Sequence, residues 1–165
     1  MSAVVIGVGP GLGMSIAHRF GREGHPVALI SRTDTRHPRY LAELAAQGVK
    51  AEAFVADVHD PSRLRSALDA AADRFGPAEI VYYGPNSVGP GDSGDLAGPV
   101  TSLDTATSDD IRAAMTLVYP AVDVVHHLLP GMLERRQGTF LFAGGLSAVR
   151  PMPMMGALDR VSRGG

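Results

Sequence analysis

The run Ala3-Val4-Val5-Ile6-Gly7-Val8-Gly9-Pro10-Gly11-Leu12-Gly13 leads directly into Met14-Ser15-Ile16-Ala17-His18-Arg19-Phe20. An apolar strand-like segment, four glycines in seven residues and a helix-like stretch follow one another without a break. Glycine tolerates positive φ and carries no side chain, so such a turn lets backbone N–H groups at a helix N-terminus close on a phosphate. In this strand–turn–helix setting, Gly7, Gly9, Gly11, Leu12 and Gly13 are the expected cradle of a dinucleotide.

Working outward, the same alternation repeats. Pro26 to Ile30 reads as a second buried strand, bounded by Gly24 and by Ser31-Arg32. Thr33 to Arg39 reads as polar loop, and Tyr40 to Gln47 as a helix that Gly48 ends. A third strand is expected over Ala51 to Ala56. Asp60-Pro61 has the form of an N-cap followed by proline at the first helical position, and Leu64, Ala67, Leu68, Ala71 and Phe75 mark the apolar face behind it. Glu79 to Tyr83 is the fourth strand, and the Gly-, Pro-, Ser- and Asp-rich stretch from Gly84 to Thr101 is a loop long enough to be functional. A helix should start at Ser108-Asp109-Asp110 and run toward Leu129, kinked at Pro120 and bent or broken at Pro130. Thr139 to Ala143 is the fifth strand, and residues 144–165 read as an irregular tail.

Five strand–helix alternations joined by right-handed crossovers build an α/β, doubly wound, Rossmann-type parallel sheet with helices on both faces and strand order 3-2-1-4-5. Ligands of such sheets bind outside the C-terminal ends of the strands. The segments Gly7 to Gly13, Ser31-Arg32, Asp57, Tyr83 to Ser87 and Gly144 to Ser147 are therefore expected on one edge.

Composition bounds the reading. With 165 residues, 45% of them hydrophobic and 19% charged, the chain suits one folded domain. A net charge of -2 and scattered basic residues argue against nucleic acid as a partner. There is no cysteine, hence no disulfide and no thiolate metal site. His126 and His127 are adjacent, so on a helix they diverge by about 100° and cannot chelate one ion; no metal is expected. The first apolar run breaks at Gly7 and has no basic leader, which points away from a membrane and toward the cytoplasm.

The spacing of Gly7, Gly11 and Gly13 resembles the GxxxGxG turn of the short-chain dehydrogenase/reductase family. Dinucleotide folds often place an acid after the second strand to hold a ribose hydroxyl; Ser31-Arg32-Thr33 stands there instead. Arginine suits a phosphate and Ser31 or Thr33 adds a hydroxyl, so NADP(H) is favoured over NAD(H). By the resemblance, Asp57-Val58 contacts the adenine, and Tyr83-Gly84-Pro85-Asn86 takes the place of the family's Asn-Asn-Ala-Gly, with Gly84 still allowing close approach to the cofactor.

The family's proton transfer relies on a tyrosine whose pKa is lowered by a lysine four residues later, a serine and a supporting asparagine. Here the last tyrosine is Tyr119, the only lysine is Lys50, Leu117 falls at the asparagine position and Gly144-Gly145 at that of the serine. Ser147 and Tyr83 are the remaining catalytic candidates, against a turn role for Ser147 and packing for Tyr83. The resemblance implies an oxidoreductase acting on a small carbonyl or alcohol. The departures keep two alternatives open: an NADP(H)-binding sensor or scaffold, and a non-redox isomerase or cyclase. Phe140, Leu141 and Phe142 would form an open edge, so a homo-oligomer or a partner covering the fifth strand is expected. Met152, Met154 and Met155 suit either an adaptable interface or simple packing.

Overall fold

The computed structural model describes residues 1–85, 105–116, 118–144 and 150. Its elements are β1 (Ser2–Ile6), α1 (Leu12–Arg22), β2 (Val27–Ser31), α2 (His37–Ala45), β3 (Ala51–Val55), α3 (Pro61–Phe75), β4 (Ala78–Tyr83), α4 (Ser108–Met115), α5 (Tyr119–Arg135) and β5 (Thr139–Phe142). The five strands are parallel and lie in the order β3-β2-β1-β4-β5. This is the doubly wound sheet that the alternation of apolar runs and helices predicts.

The chain divides into two compact units, one of Met1–Pro85 with Ala121–Phe142 and the other of Asn86–Pro120 with Ala143–Gly165. The first holds the whole sheet. Its central strands are apolar on both faces because helices cover both. On one face Val4, Ile6, Ala28, Ile30 and Val81 pack with Leu64, Leu68 and Ala71 of α3 and Val124 and Met132 of α5. On the other, Ala3, Val5, Val27 and Leu29 pack with Met14 and Ala17 of α1 and Tyr40 and Leu44 of α2. Val5, Ile6, Leu29, Ile30 and Leu44 are wholly buried, at about 1.5–3 kcal/mol of stabilisation each.

Local signals are realised at several ends. Asp60 caps α3 by accepting from Arg63 N–H at 3.1 Å, with Pro61 behind it. Gly48 and Gly76 close α2 and α3 with positive φ. Three expectations are corrected. Helix α2 starts at His37, three residues before Tyr40, because Pro38 sits in its first turn where a missing N–H costs nothing. The segment from Ser108 to Arg135 holds two helices, and Pro120 stands in the first turn of the second instead of kinking one long helix. Pro130 lies inside α5, which continues to Arg135. At its end Arg136 takes the positive φ of 52°, while Gly138 makes room for Met132, whose Cγ lies 2.5 Å from where a Cβ would stand.

Candidate functional site: the C-terminal edge of the sheet

The register fixes the site. Ile6 lies opposite Ile30 and Tyr83, Ser31 opposite Val55, and Tyr83 opposite Phe142, so all five strands end on one edge. The turn from Gly7 to Gly13 leaves that edge from its centre. Gly7 N–H donates to the Ile30 carbonyl at 2.9 Å, and Gly84 N–H to the Ile6 carbonyl at 3.0 Å, tying the turn between the strands on either side.

The glycines of the turn do different work. Gly7 has φ +79° and an added Cβ would collide with the backbone of Pro85 and lie 2.8 Å from the Gly84 carbonyl carbon, so only glycine fits. At Gly13 a Cβ would come within 3.0 Å of Val8 Cα, where the helix folds back on its own turn. At Gly9 and Gly11 it would meet nothing within 4 Å. Gly11 caps α1 without a side-chain bond; Met14 N–H reaches back to the Gly9 carbonyl at 3.1 Å and Ser15 N–H to that of Gly11 at 3.1 Å. The N–H groups of Gly9, Gly11, Leu12 and Gly13 donate to no group among the described residues. Room and unpaired donors therefore coincide at the start of α1, as a bound pyrophosphate requires.

At the end of β2, Arg32 and Thr33 are exposed, while the Ser31 hydroxyl is engaged by the Thr33 carbonyl at 2.9 Å and by His37 Nε2 at 2.7 Å. The charge of Arg32 reaches Asp57 past the end of β3. Asp57 Oδ1 accepts from the backbone N–H of His59 and from its ring Nδ1, both at 3.0 Å. The backbone bond, then the ring and Arg32, hold its carboxyl below the usual aspartate value. Val58 is half-buried beside this carboxylate and packs against the core under α3.

At the end of β4, Gly84 lies against the Tyr82 phenol, whose Cε1 would stand 2.7 Å from an added Cβ. Tyr83 turns to the opposite face, joins the core beside Val124 and is 6% exposed. Burial first, and the Asp123 carboxylate second, push its phenol well above the ordinary tyrosine value. Tyr83 is thus packed into the core, where burial opposes loss of its proton. Ser147, Asn86, Ser87, Leu117, Gly145 and the three methionines of the tail lie outside the described residues. His126 is exposed, while His127 is half-buried and pairs with Asp69 of α3 at 2.7 Å. Among the described residues no group of three or more His, Asp or Glu side chains could hold a metal, and no helix is long and apolar enough to cross a membrane.

Two residues of this edge escaped the sequence reading. His37 falls in the polar stretch Thr33 to Arg39 that reads as loop, although Pro38 marks a helix start. His59 carries no periodic signal; its role follows from the turn after β3, which brings it back onto Asp57.

The family model of the short chain dehydrogenases matches residues 1–157. The chain belongs to the short chain dehydrogenase family. Among curated proteins it is 28% identical over 139 residues to the granaticin polyketide synthase putative ketoacyl reductase 1 of Streptomyces violaceoruber, covering 84% of this chain and 48% of that protein. It is 30% identical over 154 residues to 2-(S)-hydroxypropyl-CoM dehydrogenase 3 of Xanthobacter autotrophicus, covering 93% of this chain and 56% of the relative. The chain thus spans about half the length of these curated relatives. In fold it resembles a metagenomic short-chain oxidoreductase in complex with NADP, with a TM-score of 0.81 at 21% identity over 99% of this chain and 70% of the other. It also resembles an NAD+-bound xylitol dehydrogenase, with a TM-score of 0.83 at 21% identity over 98% and 59% of the two chains.

Proposed function

We propose that this chain binds NADP(H) and forms the cofactor-binding part of an oxidoreductase acting on a small carbonyl or alcohol. The pyrophosphate is assigned to Gly9, Gly11, Leu12 and Gly13, the 2′-phosphate to Arg32 and Thr33, and the adenine to Asp57 and Val58. The observation that carries the reading is the pairing of an open, donor-lined turn at α1 with an arginine at the end of β2, where an acid would repel a 2′-phosphate. NADPH supplies a hydride when bound. The chain's own residues hold its phosphates and orient it across the strand ends. The proton donor is assigned to Ser147, to water or to a partner subunit, since the burial of Tyr83 works against proton release there.

A second reading, a sensor or scaffold that binds NADP(H) without turnover, is favoured by one observation: within the 165 residues no tyrosine follows Tyr119 and the only lysine is Lys50. Titration with NADPH, followed by assay against a panel of carbonyl substrates, separates the two. Binding with turnover supports the oxidoreductase, binding without turnover supports the sensor, and no binding at millimolar NADPH or NADH defeats both.

Self-association through β5 is part of the same proposal. Phe142 is 53% exposed beside half-buried Phe140, and the chain is expected to be larger than a monomer by light scattering. A monomer in dilute solution would count against it.

A further inference from the structure

The cluster at the end of β2 carries a proton count that settles who donates to whom. A serine hydroxyl has one proton. Ser31 Oγ lies 2.9 Å from the Thr33 carbonyl, which can only accept, so the Ser31 proton is spent there. The second bond, at 2.7 Å from His37 Nε2, must then take its proton from the histidine. On this proton count His37 takes the Nε2–H tautomer and donates into Ser31 Oγ. It is held by the start of α2 and is 6% exposed, and burial lowers its pKa against the pull of Asp34.

The consequence concerns the neighbouring residues. With its proton committed, Ser31 offers a phosphate no donor, and its remaining capacity is that of an acceptor. The side-chain donors that directly follow it are the exposed Arg32 guanidinium and Thr33 hydroxyl. Both follow the turn that the Ser31–Thr33 bond closes, and a proton on His37 Nε2 leaves the Ser31 proton free for that bond, where a bare Nε2 would compete for it.

We infer that His37 is a specificity-determining positioning residue for the 2′ end of the cofactor: by donating to Ser31 it directs the serine proton to the Thr33 carbonyl and holds the turn that presents Arg32 and Thr33 to a 2′-phosphate. The inference rests on the NADP(H) reading above and adds to it a residue that touches no cofactor atom and acts through Ser31.

The test is the ratio of NADPH to NADH affinity, measured by fluorescence titration on the whole chain. His37→Leu should lower the preference for NADPH roughly fivefold, the scale of one lost hydrogen bond, with NADH affinity unchanged. His37→Gln, whose amide N–H donates to Ser31, should restore the ratio. Ser31→Ala should reproduce the loss, and His37→Leu added to Ser31→Ala should lower the ratio no further. Where His37→Leu does not fold, Ser31→Ala and His37→Gln carry the same comparison. An unchanged ratio in His37→Leu or Ser31→Ala, a loss in His37→Gln as large as in His37→Leu, or equal weakening of both cofactors overturns the inference alone. A wild-type chain that binds neither cofactor overturns the NADP(H) reading together with it.

Discussion

The ring of Tyr83 lies 6.2 Å from that of Phe142, its register partner across β4 and β5. Phe142 stacks in turn on Phe140, with ring centroids 6.1 Å apart and planes 13° from parallel. The end of β4, where Tyr83 opens the stretch that stands in place of the family's Asn-Asn-Ala-Gly, is joined to β5 by an aromatic cluster. Tyr83→Phe keeps the ring in contact with Phe142 and should leave the NADPH affinity unchanged. Tyr83→Ala should cost about 3–5 kcal/mol in urea denaturation. Loss of carbonyl turnover in a well-folded Tyr83→Phe protein would instead give the phenol a chemical role.

Gly7 and Gly9 belong to one turn and should respond oppositely to the same substitution. Gly7→Ala forces a side chain into positive φ and onto Pro85, and is expected to destabilise by at least about 2 kcal/mol. Gly9→Ala meets open space, so thermal unfolding should stay within about 1 kcal/mol of wild type while NADPH binding weakens, the new methyl group filling the cradle. Calorimetry and titration on the two variants separate a glycine needed by the fold from one needed by the ligand.

Arg32 should matter for one cofactor and hardly for the other. Arg32→Ala is expected to weaken NADPH binding about tenfold to a hundredfold, the range for a hydrogen bond to a charged group, and to leave NADH within about twofold. Raising the salt concentration should weaken NADPH binding to the wild-type chain and narrow the difference from the variant. Equal losses for the two cofactors would remove Arg32 from the 2′ position.

The burial of His37 predicts a pH dependence of stability. Unfolded, the imidazole titrates near 6.5, and in the fold burial holds it lower, with Asp34 opposing. The unfolded chain then binds a proton that the folded chain resists, so this histidine's contribution to stability is complete above pH 6.5 and falls as pH drops through 6.5 toward the folded value. His37→Gln should show a shallower loss of urea midpoint between about pH 7 and 5 than wild type. A variant curve parallel to that of wild type would exclude the effect.

Much of the fold was legible in the chain because its signals are local. The apolar runs at Val4 to Ile6, Ala28 to Ile30 and Ile80 to Tyr83 are each followed by glycine or polar residues, and Asp60-Pro61 marks a helix start by its own chemistry. The helix starting at His37 was less legible, since a polar, proline-containing stretch reads equally as loop until it docks Tyr40 and Leu44 on the sheet. The division between α4 and α5 was obscured for a similar reason: proline marks a helix start as readily as a kink.

The sequence by itself determined the alternating architecture, the glycine turn and the arginine after the second strand, because periodicity, turn chemistry and residue charge act within a few residues of chain. Only the tertiary structure decided that Gly7 is demanded by Pro85, that Tyr83 turns into the core beside Phe142, and that His37 and His59 hold the hydroxyl of Ser31 and the carboxylate of Asp57. Those relations depend on which face a side chain takes and on turns that bring it back upon an earlier residue. Distance and direction of that kind are set by packing across the sheet and its edge, and residue spacing alone does not carry them.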